Sequence, residues 1–215
     1  DLSGIHPCMS GYKTLRGPAE AELTEKRSVF ICRVKPVSTE EEALAFLNDI
    51  RRRFSDARHN VYAYALRGNG ISRFSDDGEP HGTAGLPTLD VLRKGGIVDA
   101  VAVTTRYFGG ILLGTGGLVR AYSLAASMAV ERAGVCEMAA CAFFSFTVSY
   151  ADYPRVQALA DRSPALRVER TEFGNGVTVY ASASEEALPA VQTALRDMLC
   201  GRVSFLDGGR GYSEL

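Results

Sequence analysis

From residue 28 to 37 (SVFICRVKPV) the hydrophobic positions are β-branched and aromatic and the run ends at Pro36, a pattern that predicts a strand. Ser38 or Thr39 followed by Glu40-Glu41-Glu42 has the form of a capping box, and Ala43, Phe46, Leu47 and Ile50 then recur at helical spacing as far as Phe54. The glutamates complement the positive end of that helix and read as its solvated first turn. Residues 61–67 (VYAYALR) predict a second strand, turned at Gly68-Asn69-Gly70 into a hairpin partner at 71–74. Residues 86–92 predict a helix, 98–105 a central buried strand, and 119–133 a long helix of small residues that stops near Gly134.

The second half has another rhythm. Residues 142–148 (AFFSFTV) predict a strand and 153–161 a helix. Strands at 166–172 and 177–183 are joined by Gly174-Asn175-Gly176, a strong hairpin signal. A helix at 185–199 and a last strand at 202–206 complete a β-α-β-β-α-β order, the split βαβ arrangement of ferredoxin-like domains. The fold class expected is therefore α+β, two α/β sandwich domains at 12–138 and 139–215, with 1–11 a loose tail outside the fold.

Composition narrows the function classes. With 215 residues, 46% of them apolar and 23% charged, the chain is ordinary for a soluble globular protein. A net charge of −1 lacks the basic excess of a wholesale nucleic-acid binder and leaves room for a local basic patch. Five scattered cysteines with no C-x-x-C pair point to reduced thiols and a cytoplasmic location. No apolar run is long enough for a membrane span. Three histidines offer little for a zinc site.

The chemistry concentrates between Phe74 and Ala126. SDDGEPHGTAG is a tight turn that carries Asp76, Asp77, Gly78, Glu79, Pro80 and His81. Its carboxylates suit either Mg²⁺, a hard cation that takes oxygen ligands, or backbone N–H groups that fix the turn. His81 reads as a general base or as a hydrogen-bonded turn residue. The central strand ends on Arg106-Tyr107-Phe108, a guanidinium beside aromatic faces, which suits phosphate contact with base stacking. The same Arg could instead pair with the turn's carboxylates. Gly109, Gly110, Gly114, Gly116 and Gly117 follow and run into the helix that carries Arg120 and Tyr122. Glycines that open a helix expose its first N–H groups and its positive end, so an anion or phosphate is expected there, with His59 facing the same cleft. The P-loop lysine, a G-x-S-x-G elbow and a Cys–His pair are all missing, so no catalytic residue is assigned.

SDDGEPHGTAGLPTLDVL and TRYFGGILLGTGGLVRAYSLAA, with KRSVFI and ARHNVYAY upstream, closely resemble the signature of the YigZ/IMPACT family over residues 12–206. Val61 stands where relatives often carry Cys. The resemblance implies a first domain similar to domain two of a small-subunit ribosomal protein (protein five). It implies a ferredoxin-like second domain similar to domain five of elongation factor G. It also implies kinship with eukaryotic regulators of translation, which act through a further N-terminal module expected to be absent here. The signature falls on His59, Asp76–Pro80, Gly82–Gly85, Arg106–Gly110, Gly114, Gly116, Gly117 and Arg120–Tyr122. Three readings follow: a non-catalytic protein that binds RNA, the ribosome or a translation-regulating protein; a Mg²⁺-dependent enzyme or binding protein for a phosphorylated small molecule or nucleotide; and a protein-interaction module.

Overall fold

The structure is a computed structural model that describes residues 11–214, and the tail expected at 1–11 lies outside it but for Gly11. It is a mixed α+β chain in two compact units, Tyr12–Cys136 and a second built on Glu137–Leu215.

In the first unit the order is β1 (Tyr12–Leu15), β2 (Ala19–Glu25), β3 (Ser28–Pro36), α1 (Glu40–Arg53), β4 (His59–Ala65), β5 (Ser72–Ser75), α2 (Gly85–Lys94), β6 (Ala100–Tyr107) and α3 (Gly114–Ala133). β2 to β6 form an antiparallel sheet ordered β2-β3-β6-β4-β5. Strand parity decides what each face buries. Phe30, Cys32, Val34, Val61, Ala100 and Ala102 share a core with α2 and α3. Tyr64, Val101 and Val103 form another with Ala43, Leu47 and Ile50 of α1. α3 lies close to the sheet because its inner stripe is Ala121, Ala125, Ala126 and Ala129, all buried.

α1 starts as the capping box predicts. Thr39 Oγ1 accepts from the Glu42 N–H at 3.2 Å, and the Glu42 carboxylate takes the Ser38 N–H at 2.6 Å. Two strands escape the periodicity reading, β1 and β2. The second, AEAELTE, does alternate, but Ala and Glu carry little strand propensity, and it holds as an edge strand on β3. β6 runs two residues past the expected end, and α3 begins at Gly114 rather than 119, so Gly114, Gly116 and Gly117 are its first turn and not a loop.

The second unit contains β7 (Val135–Val148, whose first two residues belong to the first unit), α4 (Tyr153–Arg162), β8 (Arg167–Phe173), β9 (Val177–Ser184), α5 (Leu188–Met198) and β10 (Leu206–Glu214). Its strands lie in the order β10-β7-β9-β8, all antiparallel. Phe144, Phe146, Val179, Leu195 and Leu199 fill its core. The last strand is not at 202–206 but follows it, in the glycine-rich LDGGRGYSE. The Phe143 ring bears on the composition: a Cβ on Gly211 would stand 2.8 Å from its Cε2, so a side chain there would force the ring to shift.

Glycines in the first unit make a testable contrast. A Cβ on Gly109 would lie 2.0 Å from the Arg27 carbonyl carbon, whereas one on Gly116 meets nothing within 4 Å. Gly109→Ala is expected to cost at least about 2 kcal/mol through forced backbone movement. Gly116→Ala is expected to gain roughly 0.5 kcal/mol from helix propensity. Urea unfolding of the two variants measures both.

Candidate functional site

The turn between β5 and α2 is held by its own carboxylates. Asp76 accepts the N–H groups of Gly82 (2.8 Å), Ala84 (3.1 Å) and Gly85 (2.8 Å), so it fills the N-terminal end of α2 from within the chain. Burial pushes Asp76 up, but the N–H groups of Gly82, Gly85 and Ala84 together outweigh it and hold the carboxyl below its ordinary pKa. Asp77, in a left-handed conformation (φ 45°), accepts from the Asn60 N–H at 2.7 Å and pairs with Arg51 at 2.9 Å. Its carbonyl lies 2.7 Å from His59 Nδ1. A carbonyl only accepts, so Nδ1 is the donor in this contact. His81 is exposed, 3.6 Å from Asp76.

Glu79 goes elsewhere. Arg106 Nη1 donates to its Oε1 at 2.6 Å and the Tyr122 hydroxyl donates to the same oxygen at 2.8 Å. Arg106 is only 6% exposed, reaches Ser28 Oγ at 3.4 Å and lies 5.3 Å from the Phe30 ring centroid. Burial, and then the Glu79 charge and hydrogen bond, push the Tyr122 phenol far above its ordinary value. Asp76, Asp77 and Glu79 thus point to three separate sets of partners. Among the described residues, no three His, Cys, Asp or Glu side chains group as a metal site. The three carboxylates therefore do not converge on one point.

Parity along β6 separates the predicted Arg-Tyr-Phe cluster. Arg106 faces α3. Tyr107 faces away from it and donates to Asp56 at 3.1 Å. Phe108, past the strand and 49% exposed, joins His59, Arg106 and Gly114 in a cleft of about 350 Å³. Arg58, Glu79, Pro80, Leu112, Leu113, Thr115 and Leu118 complete its wall. The start of α3 opens there without a side-chain cap. Arg120 does not reach this cleft. It lines a second one, of about 200 Å³, with Gly117, Glu25 and Lys26, and Leu113 borders both. The expectation that Arg106 and Arg120 back one anion pocket is therefore corrected. Arg106 is buried and neutralised, and Arg120, one helical turn further on, projects to the other side. Gly109 is a packing glycine, its N–H on Ser28 Oγ at 3.2 Å, and Gly110 turns the chain at φ 83°.

Three cations were not singled out from sequence: Lys26, Arg27 and Arg58. Lys26 and Arg27 form a two-residue hairpin turn between β2 and β3, at φ 45° and 66°. Their signal was hidden because β2 itself was missed. Cys32, opposite Thr104, is no candidate nucleophile; burial pushes its thiol up to about 12.

The fold and site define an α+β protein of two units whose first carries a cleft at a glycine-built helix start. The chain belongs to the IMPACT family. The family model described as the Impact N-terminal domain matches residues 26–130. The IMPACT family member YvyE of Bacillus subtilis is 33% identical over 207 residues, covering 96% of this chain and 95% of that protein. The IMPACT family member YigZ of Escherichia coli is 44% identical over 110 residues, 50% of this chain and 54% of its own. A crystal structure described as that of a hypothetical protein superposes with a TM-score of 0.59 at 28% identity, over 92% of this chain and 97% of that one. No helix among the described residues is long and apolar enough to cross a membrane.

Two outcomes are expected here. Arg106→Met should cost about 3–5 kcal/mol, because it leaves Glu79 charged and buried without a partner. The double variant Glu79→Gln/Arg106→Met should lose less than Arg106→Met alone, as urea unfolding would measure. For Asp76, whose folded pKa is depressed, the stabilisation is complete above the unfolded value of about 3.9 and is lost as pH falls through the folded one. Asp76→Asn should cost about 2–3 kcal/mol at neutral pH, and its deficit against the parent should shrink below about pH 4.

Proposed function

We propose that this chain is a non-catalytic, translation-associated protein of the cytoplasm that binds RNA, free or within the ribosome, through the edge of its first unit. One observation carries the reading: Lys26, Arg27, Arg58 and Arg120 are exposed, and no ion pair is recorded for them among the described residues. All four surround the segment that links β6 to α3. Arg58 lines the larger cleft, Lys26 and Arg120 line the smaller, and the Arg27 backbone lies under Gly109. Phe108 and Leu112 (83% exposed) stand between them. Cations interleaved with exposed aromatic and apolar groups fit phosphates and stacked bases together.

The conformation of Lys26-Arg27 adds weight. A two-residue hairpin turn with both φ positive suits Asn-Gly, and ordinary residues there cost about 1 kcal/mol each. Keeping two cations in such a turn is a local cost that a contact made by those cations would explain. The finer fold reading agrees. The first domain, 12–138, is assigned as similar to domain two of small-subunit ribosomal protein five. The second, 139–215, is assigned as ferredoxin-like, similar to domain five of elongation factor G, and the β10-β7-β9-β8 order supports that. A second reading, docking of a translation-regulating protein, is favoured by Ile111 and Leu112, both exposed beside the cleft. Mg²⁺ chemistry on a phosphorylated metabolite has no comparable support, since the carboxylates of the turn are separately engaged.

The test is RNA binding against salt. Four phosphate contacts predict a slope of log K on log[salt] of about −3, with about 0.7 for each contact to a single strand. Lys26→Asn/Arg27→Gly should make the slope shallower by about 1.4 and stabilise the fold by about 1–2 kcal/mol. An unchanged slope would discard this surface. Affinity for a protein partner and none for RNA would favour the second reading.

A further inference from the structure

The larger cleft holds a group that the phosphate contacts do not use. Glu79 is more than nine-tenths buried and forms part of the cleft wall. Both of its side-chain hydrogen bonds, from Arg106 and Tyr122, end on Oε1. Oε2 accepts none among the described residues. A free acceptor in a wall shared with Pro80, Phe108, Leu112, Leu113 and Leu118 calls for a donor from whatever fills the space. Among the described residues, the buried Arg106 Nε beside it has no hydrogen-bond partner either.

The surrounding charge restricts the guest. Arg106 already neutralises Glu79 at 2.6 Å, so a cation would gain little from the carboxylate and would meet Arg106 and Arg58. A charged anion at the floor would face Glu79 itself. An uncharged ring with an N–H on its edge suits the floor. A negative group suits the rim, where Arg58 and the uncapped start of α3 lie. One molecule that meets both demands is a nucleotide. Phe108 offers the flat face on which a base stacks. A volume of about 350 Å³ is in the range of small-ligand sites and leaves room for one nucleotide, not a run of them.

We propose that this cleft is a pocket for a single unpaired nucleotide. The base donates an N–H to Glu79 Oε2 and stacks on Phe108, and the phosphate lies toward Arg58. The proposal rests on the RNA reading for its source, an unpaired base of an RNA strand. A free nucleotide has the same chemistry, and the test separates the two. A base already paired in a duplex has its Watson–Crick edge occupied and its faces stacked, so the pocket selects single strands.

These 215 residues contain no tryptophan, so Phe108→Trp places a single indole in the cleft and keeps a stacking surface. Its fluorescence is followed on titration with a short single-stranded RNA, with the same RNA as a duplex, and with each nucleoside monophosphate. Saturable quenching by the single strand is expected, with at least ten-fold weaker response to the duplex. In the otherwise unaltered chain, Phe108→Ala should weaken single-strand binding about ten-fold by anisotropy of labelled RNA and leave duplex binding unchanged. Equal affinity for both RNA forms with a neutral Phe108→Ala would overturn the pocket while RNA binding stands. Quenching by a monophosphate without any RNA binding would support the pocket and overturn the RNA reading. An indole that no ligand quenches would overturn the pocket.

Discussion

The buried contact of Arg106 with Glu79 sets the geometry of the first unit. Removing two charges from water is costly, and here the cost is offset by a 2.6 Å pair, the Tyr122 hydroxyl and the Phe30 and Phe108 rings around the guanidinium. Three elements meet at that point: β6 through Arg106, the turn before α2 through Glu79, and α3 through Tyr122. The pair ties a surface loop to the centre of the sheet, and it positions the cleft that the loop, α3 and the start of β4 enclose.

Two helix starts show what this arrangement does. α2 and α3 both begin at glycine without a side-chain cap of their own. At α2 the chain supplies its own anion, since Asp76 takes the N–H groups of Ala84 and Gly85. At α3 no side chain caps the helix, which opens into a cleft beside Arg58. The two helix starts differ in whether a local carboxylate reaches the amides. The exposed cations at the β2–β3 turn and on α3 extend the same electropositive edge past Leu113 into the smaller cleft.

Much of this was legible in the sequence. The helices, the paired strands of the core, the Gly174–Gly176 hairpin and the family signature all follow from periodicity, turn residues and motif. The misses have physical causes. β2 is built from Ala and Glu, and β10 from glycines that make room for Phe143, so neither shows the composition of a strand. Missing β2 concealed the Lys26-Arg27 turn and with it half of the cationic edge. The stretch Arg106-Tyr107-Phe108 looked like one cluster because its residues are adjacent, although adjacent residues of a strand face opposite ways.

By itself the sequence determined the order of most elements, the crowding of glycines, carboxylates and signature residues between Phe74 and Ala126, and membership of the IMPACT family, because these depend on local pattern. Only the tertiary structure decided that Arg106 is an internal counter-ion and Arg120 lies in a different cleft. It also decided that Arg58 joins His59 at the mouth of the larger one, and that Glu79 keeps one oxygen free. Those outcomes depend on which side chains become neighbours when β6, α3 and the acidic turn close on one another, and the price of burying a charge, not its position in the chain, selects its partner.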